Sequence, residues 1–183
     1  MPKTLISTHI VPDDYSGAIC EVDITSGIDS TYPVYEFHFV NMHPSVAGAK
    51  LQFQVDIGTL TAYDQPMTTT NFNAQQTEAG TEEGLAYYTG GDQAGTDKVF
   101  QQISSNIWDN NDDSGAGVLT LYEPSSATYV KHFTSQSMAS GNTWCVNNFV
   151  AGYVNTATAL TRIRFAMNSG NIDAGVIKMY GVT

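Results

Sequence analysis

Strict alternation of apolar and polar side chains recurs along nearly the whole chain, and it leaves little besides β-structure open to it. Residues 50–57 are the clearest case, with Leu51, Phe53, Val55 and Ile57 on one face and Lys50, Gln52, Gln54 and Asp56 on the other. That is the period of two of a half-buried strand. Residues 18–24 place Ala18, Cys20, Val22 and Ile24 together, and residues 34–40 set Tyr35, Phe37 and Phe39 against Glu36 and His38. Further strands are expected at 69–75, 99–104, 117–122, 129–135 and 147–155. The end of the chain adds two more. Ile163, Phe165 and Met167 alternate with Arg162, Arg164 and Ala166, a tight turn follows at 168–171, and residues 172–182 run on as strand. The chain is therefore expected to end inside its own sheet.

Between these runs lie turns rich in Gly, Asn, Asp and Ser, such as 25–27, 41–44, 109–115 and 123–126. Roughly eight to ten short strands with almost no helical period imply an all-β sandwich or barrel. Ten Tyr and eight Phe, mostly at alternating positions, supply what the inner faces of a sandwich need. At 183 residues one domain is expected, with residues 1–17 as an N-terminal arm and residues 18–183 as the sandwich. Residues 77–97 fit poorly, carrying five glycines, three glutamates and the pair Tyr87-Tyr88. They read as a long excursion over the sheet, a place where partners are contacted.

Seven basic residues against 18 acidic ones give a formal net charge of −11, so a nucleic-acid backbone is repelled over most of the surface. Arg162, Arg164 and Lys178 form the one local basic cluster and are expected to pair with acidic neighbours across strands. Only 14% of residues are charged, and Thr, Ser, Asn, Gln and Gly make the surface polar but neutral. No apolar run reaches membrane-spanning length and no export leader opens the chain, so neither a membrane partner nor secretion is expected. Cys20 and Cys145 sit in strand-like apolar contexts. They either pair or remain small buried thiols.

The histidines, His9, His38, His43 and His132, have no metal-ligand spacing, and His38 and His132 read as half-buried packing residues. Asp109, Asn111 and Asp113 alternate as oxygen donors like the start of a calcium loop. Ser114 replaces the glycine such a loop needs and Thr120 stands where a bidentate glutamate belongs, so a solvated turn competes with a metal site. No nucleophile elbow, phosphate loop or dinucleotide fingerprint is present, and a carboxylate pair such as Glu36 and Asp56 is not singled out by anything. No catalysis and no cofactor are expected. Tyr63, Tyr87, Tyr88 and Trp108 are the aromatics in or beside loops. They either cover sheet edges or form platforms for a sugar or a protein partner.

The blocks 26–32 (SGIDSTY), 37–44 (FHFVNMHP), 117–126 (GVLTLYEPSS), 149–153 (FVAGY) and the closing 169–182 resemble small virion structural proteins of tailed, particularly marine, bacteriophages. The resemblance covers nearly the whole chain, and its motifs are turns and strand ends. It implies a jelly-roll-like antiparallel β-sandwich on the capsid exterior, a decoration or cement protein that binds the major capsid protein and copies of itself as a trimer, without catalysis. The alternative it implies is the head domain of a tail fibre or spike that recognises a host-surface glycan or receptor. Such a protein is made in the host cytoplasm and needs no signal peptide.

Overall fold

The computed structural model describes residues 2–11, 21–58 and 62–183. Twelve strands run through them in chain order: β1 (Lys3–Val11), β2 (Glu21–Ile24), β3 (Val34–Pro44), β4 (Leu51–Asp56), β5 (Met67–Thr77), β6 (Glu83–Tyr87), β7 (Gln101–Gln102), β8 (Gly115–Tyr122), β9 (Lys131–Gly141), β10 (Trp144–Val154), β11 (Arg162–Met167) and β12 (Ile172–Val182). No helix occurs among the described residues. The strands form two antiparallel sheets, one of eight strands ordered β1-β12-β3-β8-β9-β10-β5-β6 and one of four ordered β2-β11-β4-β7.

The alternating apolar positions meet between the sheets. Phe37 and Phe39 of β3 lie 5.5 and 5.1 Å, ring centre to ring centre, from Phe165 of β11, and Phe53 of β4 lies 5.0 Å from Phe133 of β9. All five rings are buried. Each such side chain contributes about 1.5–3 kcal/mol on leaving water, which makes this β-sandwich core the main source of stability.

The strand between 69 and 75 extends at both ends to become β5, and the one at 99–104 shrinks to the two residues of β7, because Val99 stays exposed while Gln101 turns inward to polar partners. Residues 77–97 are not a structureless excursion. Their first half closes a hairpin in which β6 pairs with β5 from Phe72↔Tyr87 to Gln76↔Glu83. Residues 3–11 are not a free arm either. As β1 they pair with β12 from Lys3↔Val182 to Val11↔Gly175, with a shift near Ile6. An edge strand buries little, so its apolar alternation is faint in the sequence. Residues 12–17 of the expected arm and Cys20 lie outside the described residues. The two C-terminal strands belong to different sheets, so the turn at 168–171 crosses the sandwich rather than folding a hairpin.

Side-chain polarity decides the rest. Arg164 pairs across to β2, with Nη2 donating to Asp23 Oδ2 at 2.7 Å and Nη1 2.7 Å from Glu21 Oε2. Lys178 lies in the other sheet, beside His38. His38 is half-buried, as its neighbours suggest, whereas His132 is exposed on the outside of β9. Cys145 is exposed rather than buried, because β10 turns it outward opposite Ser140. Glu36 faces out of the large sheet, and Asp56 is buried in the small one, so no carboxylate pair forms there.

A candidate binding cleft and an uncharged sheet face

Eight strands cannot be covered by four. The flank formed by β10, β5 and β6 lies beyond the last large-sheet strand that packs on the small sheet through a phenylalanine pair, Phe133 of β9 on Phe53 of β4, and the chain between β6 and β8 is bonded to it. The inward side chains change character there, from phenylalanine to Thr69, Asn71, Gln101 and Asn148, all buried. A covering loop brings backbone groups that need partners, which these side chains supply. Gln101 Nε2 donates to Gly91 O at 2.7 Å, Thr69 Oγ1 donates to Gln101 Oε1 at 2.8 Å, and Thr69 Oγ1 accepts from the Gln93 N–H at 2.8 Å. Asn71 O accepts from the Tyr88 N–H at 2.8 Å. The loop is pinned to the sheet by this polar layer.

At the end of this flank a cleft of about 340 Å³ stays open. Tyr88 enters it from the loop after β6, Trp108 from the loop before β8, and Trp144 from the start of β10. Two of these aromatics rest on glycines. A Cβ at Gly91 would stand 2.6 Å from Tyr88 Cδ1, and one at Gly141 would stand 2.7 Å from Trp108 Cγ, so any side chain at either position displaces a ring. Asn73 and Gln75 of β5 and Asn106 supply amide groups. Lys50 is the one charged side chain among the described residues lining the cleft. Its Nζ donates to Tyr88 Oη at 2.7 Å.

The hairpin turn beside this cleft is strained. Asn142 and Thr143 both have positive φ, 48° and 72°, the pattern of a two-residue type I′ turn. Asparagine tolerates that region, but a β-branched residue rarely enters it. Thr143 O accepts from the Glu78 N–H at 2.8 Å, tying this hairpin to the neighbouring β5–β6 turn.

The opposite, outer face of the same flank, together with β9 and β8, is a second surface. Cross-strand rows place His132, Tyr153 and Thr68 side by side, then Thr120, Thr134, Ala151 and Thr70, then Val118, Gln136, Phe149 and Phe72, then Ala116, Met138, Asn147 and Ala74, with the Tyr122 hydroxyl beside that of Thr134. Tyr87 and Leu85 of β6 continue the last two rows. None of these residues is Asp, Glu, Lys or Arg; charge begins at β3, where Glu36 stands opposite Thr120. Phe72 and Phe149 stack at 4.9 Å with planes 12° apart, and Leu85, Met138 and Tyr87 are 74%, 55% and 53% exposed.

The four aromatics singled out by the sequence separate into three places. Tyr88 and Trp108 meet in the cleft. Tyr87 lies on the outer face, its hydroxyl donating to Asp92 Oδ2 at 2.7 Å, and that hydrogen bond raises the phenol's pKa. Tyr63 is no platform at all: it is 4% exposed under the Arg164 guanidinium, which sits 4.2 Å from its ring centre. Burial raises its pKa. Trp144 was not singled out, since it directly precedes Cys145-Val146 and reads as part of a strand.

In the acidic turn, Asp113 Oδ2 accepts from Asn110 Nδ2 at 2.7 Å, and the Asp113 N–H donates to Asn110 O at 2.9 Å. Asn111 and Asp113 border a wide cleft that His43 and Asp173 also line, and Asp109 is not among its lining residues. No group of three or more His, Cys, Asp or Glu suited to a metal ion occurs among the described residues. No protein-family model and no curated protein sequence matches the chain.

Proposed function

We propose that this chain is a structural protein of a tailed-phage virion, a capsid decoration protein that seats the outer face of the β8-β9-β10-β5-β6 flank of its large sheet on the major capsid shell. The observation that carries the reading is the absence of Asp, Glu, Lys and Arg from four cross-strand rows where they run over β8, β9, β10 and β5, in a chain of net charge −11. Aromatic and apolar side chains without charge are what the centre of a protein–protein interface requires. The acidic remainder of the surface limits adsorption to the packaged genome. The protein acts by burying area across neighbouring shell subunits, so that opening the particle costs the binding free energy as well.

The strand order supports the same reading. β1, β12, β3 and β8 alternate along the chain with β2, β11, β4 and β7 in the facing sheet, an order in keeping with a jelly roll that carries the β5–β6 and β9–β10 hairpins as insertions. Copies grouped as trimers about local threefold axes suit a closed shell. The chain works without catalysis or cofactor.

Copy number in purified particles tests the reading. Quantitative mass spectrometry with particle reconstruction is expected to find hundreds of copies distributed over the shell. A few tens of copies or fewer, confined to the tail, overturns it in favour of a fibre or spike head.

A further inference from the structure

We propose that the cleft holding Tyr88, Trp108 and Trp144 binds saccharides, and that its ligand is an acidic glycan, a sugar unit with vicinal hydroxyls and a carboxylate or sulfate substituent. The inference does not depend on whether the chain sits on the capsid or on the tail.

Three features point to that chemistry. The first is the pairing of aromatic faces with amides. Pyranose rings present a C–H face, which packs on the flat faces of Tyr and Trp, and an edge of hydroxyls that both donate and accept. Asn73, Gln75 and Asn106 each offer an amide donor beside a carbonyl acceptor, the set that reads adjacent hydroxyls. The second is preorganisation. Tyr88 rests on Gly91 and Trp108 on Gly141, and the loop carrying Tyr88 is pinned by the Asn71 carbonyl, so little side-chain freedom remains to be lost on binding. The cleft's volume of about 340 Å³ falls at the lower end of ligand sites and holds about one or two sugar units.

Charge supplies the third feature. Lys50 is the one charged residue lining the cleft among the described residues, and no carboxylate lines it, in a chain with 18 acidic residues and seven basic ones. The Lys50 ammonium gives one proton to Tyr88 Oη and keeps two donors for a ligand. A neutral sugar leaves that cation without an anionic partner, whereas a uronate or sulfated sugar supplies one inside a partly dehydrated site.

The chain's two tryptophans are both in this cleft, so tryptophan emission from the full-length protein reports on this site. Titration is made with trigalacturonic acid, with a sulfated carrageenan tetrasaccharide and with maltotriose as the uncharged control. The expected result is a saturable change in emission with one or both anionic probes, at least about tenfold tighter than with maltotriose. Which anionic probe binds distinguishes a carboxylate from a sulfate ligand. Lys50→Met is expected to reduce the anionic probe to the level of maltotriose. Asn106→Ala, at an exposed loop position, is expected to weaken it severalfold and keeps the test open if Lys50→Met does not fold. The proposal is overturned if no probe changes the emission at millimolar concentration, if maltotriose binds as tightly as the acidic probes, or if a folded variant binds unchanged. Any of these outcomes leaves the copy-number result for the virion reading untouched.

Discussion

The indole of Trp108 lies against the backbone of Gly141, so close that a Cβ at position 141 would overlap the ring edge. Glycine here is a seat for an aromatic side chain and not a turn residue. Gly141→Ala is expected to push Trp108 out of its position and to cost about 1–3 kcal/mol by overpacking. Tryptophan emission of the purified variant should move to longer wavelength as the indole becomes more exposed, with the β content retained in circular dichroism. An unchanged emission maximum would falsify the placement of Trp108 on Gly141.

Thr143 holds φ at 72° one residue from the cleft. A non-glycine residue in the left-handed region costs about 1–2 kcal/mol, and the greater freedom of an unfolded glycine offsets about half of that. Thr143→Gly, which creates an Asn-Gly turn, should therefore stabilise the protein by roughly 0.5–1 kcal/mol and raise Tm by about 1–4 °C. The bond from the Glu78 N–H to the residue-143 carbonyl survives the change. Calorimetry that finds the variant less stable than the parent removes the argument from strain.

Strand positions were readable in the sequence because burial on one face writes itself as a period of two, and Phe37, Phe53 and Phe165 all stand where that period puts them. Sheet membership was not. Nothing in the turn at 168–171 says that β11 and β12 part into different sheets. That outcome rests on distant tethers such as Asn168 N–H to Lys50 O at 3.0 Å and Ser45 N–H to Asn171 O at 3.1 Å. The cleft was half visible. Tyr88 and Trp108 stood out as aromatics outside strands, whereas Trp144 was hidden at a strand's first residue, and residues 88, 108 and 144 meet from three stretches of chain far apart in sequence, after β6, before β8 and at the start of β10. Tyr63 carried the same signal as Tyr88, and only the three-dimensional neighbour Arg164 distinguishes a buried ring from an available one.

Tyr35, fully buried, clasps the turn ahead of β3. Its hydroxyl accepts from the Asp29 N–H at 3.0 Å and donates to Asp29 O at 2.9 Å. Burial is the main reason its phenol pKa is raised. Tyr35→Phe keeps the ring and removes the clasp, leaving both backbone groups of Asp29 without this partner. Urea denaturation should show a lower midpoint at unchanged m-value, corresponding to a loss of about 1–3 kcal/mol. A midpoint equal to that of the parent counts against any structural role for the hydroxyl.

Glu36 links the edge strand to the sheet, accepting from Lys3 Nζ at 2.6 Å and bonded to His38 Nε2 at 2.7 Å. Burial alone pulls its pKa up. The hydrogen bonds and charges of Lys3 and His38 outweigh it and hold the carboxyl below its ordinary value of 4.5. With the folded pKa depressed, the contribution is fully present above the unfolded value and is lost as pH falls through the folded one. Because Lys3 is 44% exposed, that contribution is below about 1 kcal/mol. Stability measured on acidification from neutral pH should fall less steeply below pH 4.5 for Glu36→Gln than for the parent, and parallel curves exclude Glu36 as a source of the acid sensitivity.

Phe72 provides the sharpest test of the outer face. It is 40% exposed, stacked on Phe149 and opposite Tyr87, so a carboxylate placed there breaks the uncharged surface at its centre. For the isolated protein, Phe72→Asp forfeits the stack and some burial, about 1–2 kcal/mol. For a docked protein the cost is larger, since the new charge must be dehydrated against an apolar partner, and central aromatic positions of interfaces lose 2 kcal/mol or more on truncation alone. Binding to shells stripped of the protein, measured by co-sedimentation, is expected to weaken at least roughly thirtyfold while the variant stays folded. The control is Lys98→Ala, which removes an exposed ion pair with Asp64 away from that face and should bind as the parent does. Equal binding by Phe72→Asp and the parent means that the shell is gripped by some other surface, and that the uncharged rows require a different explanation.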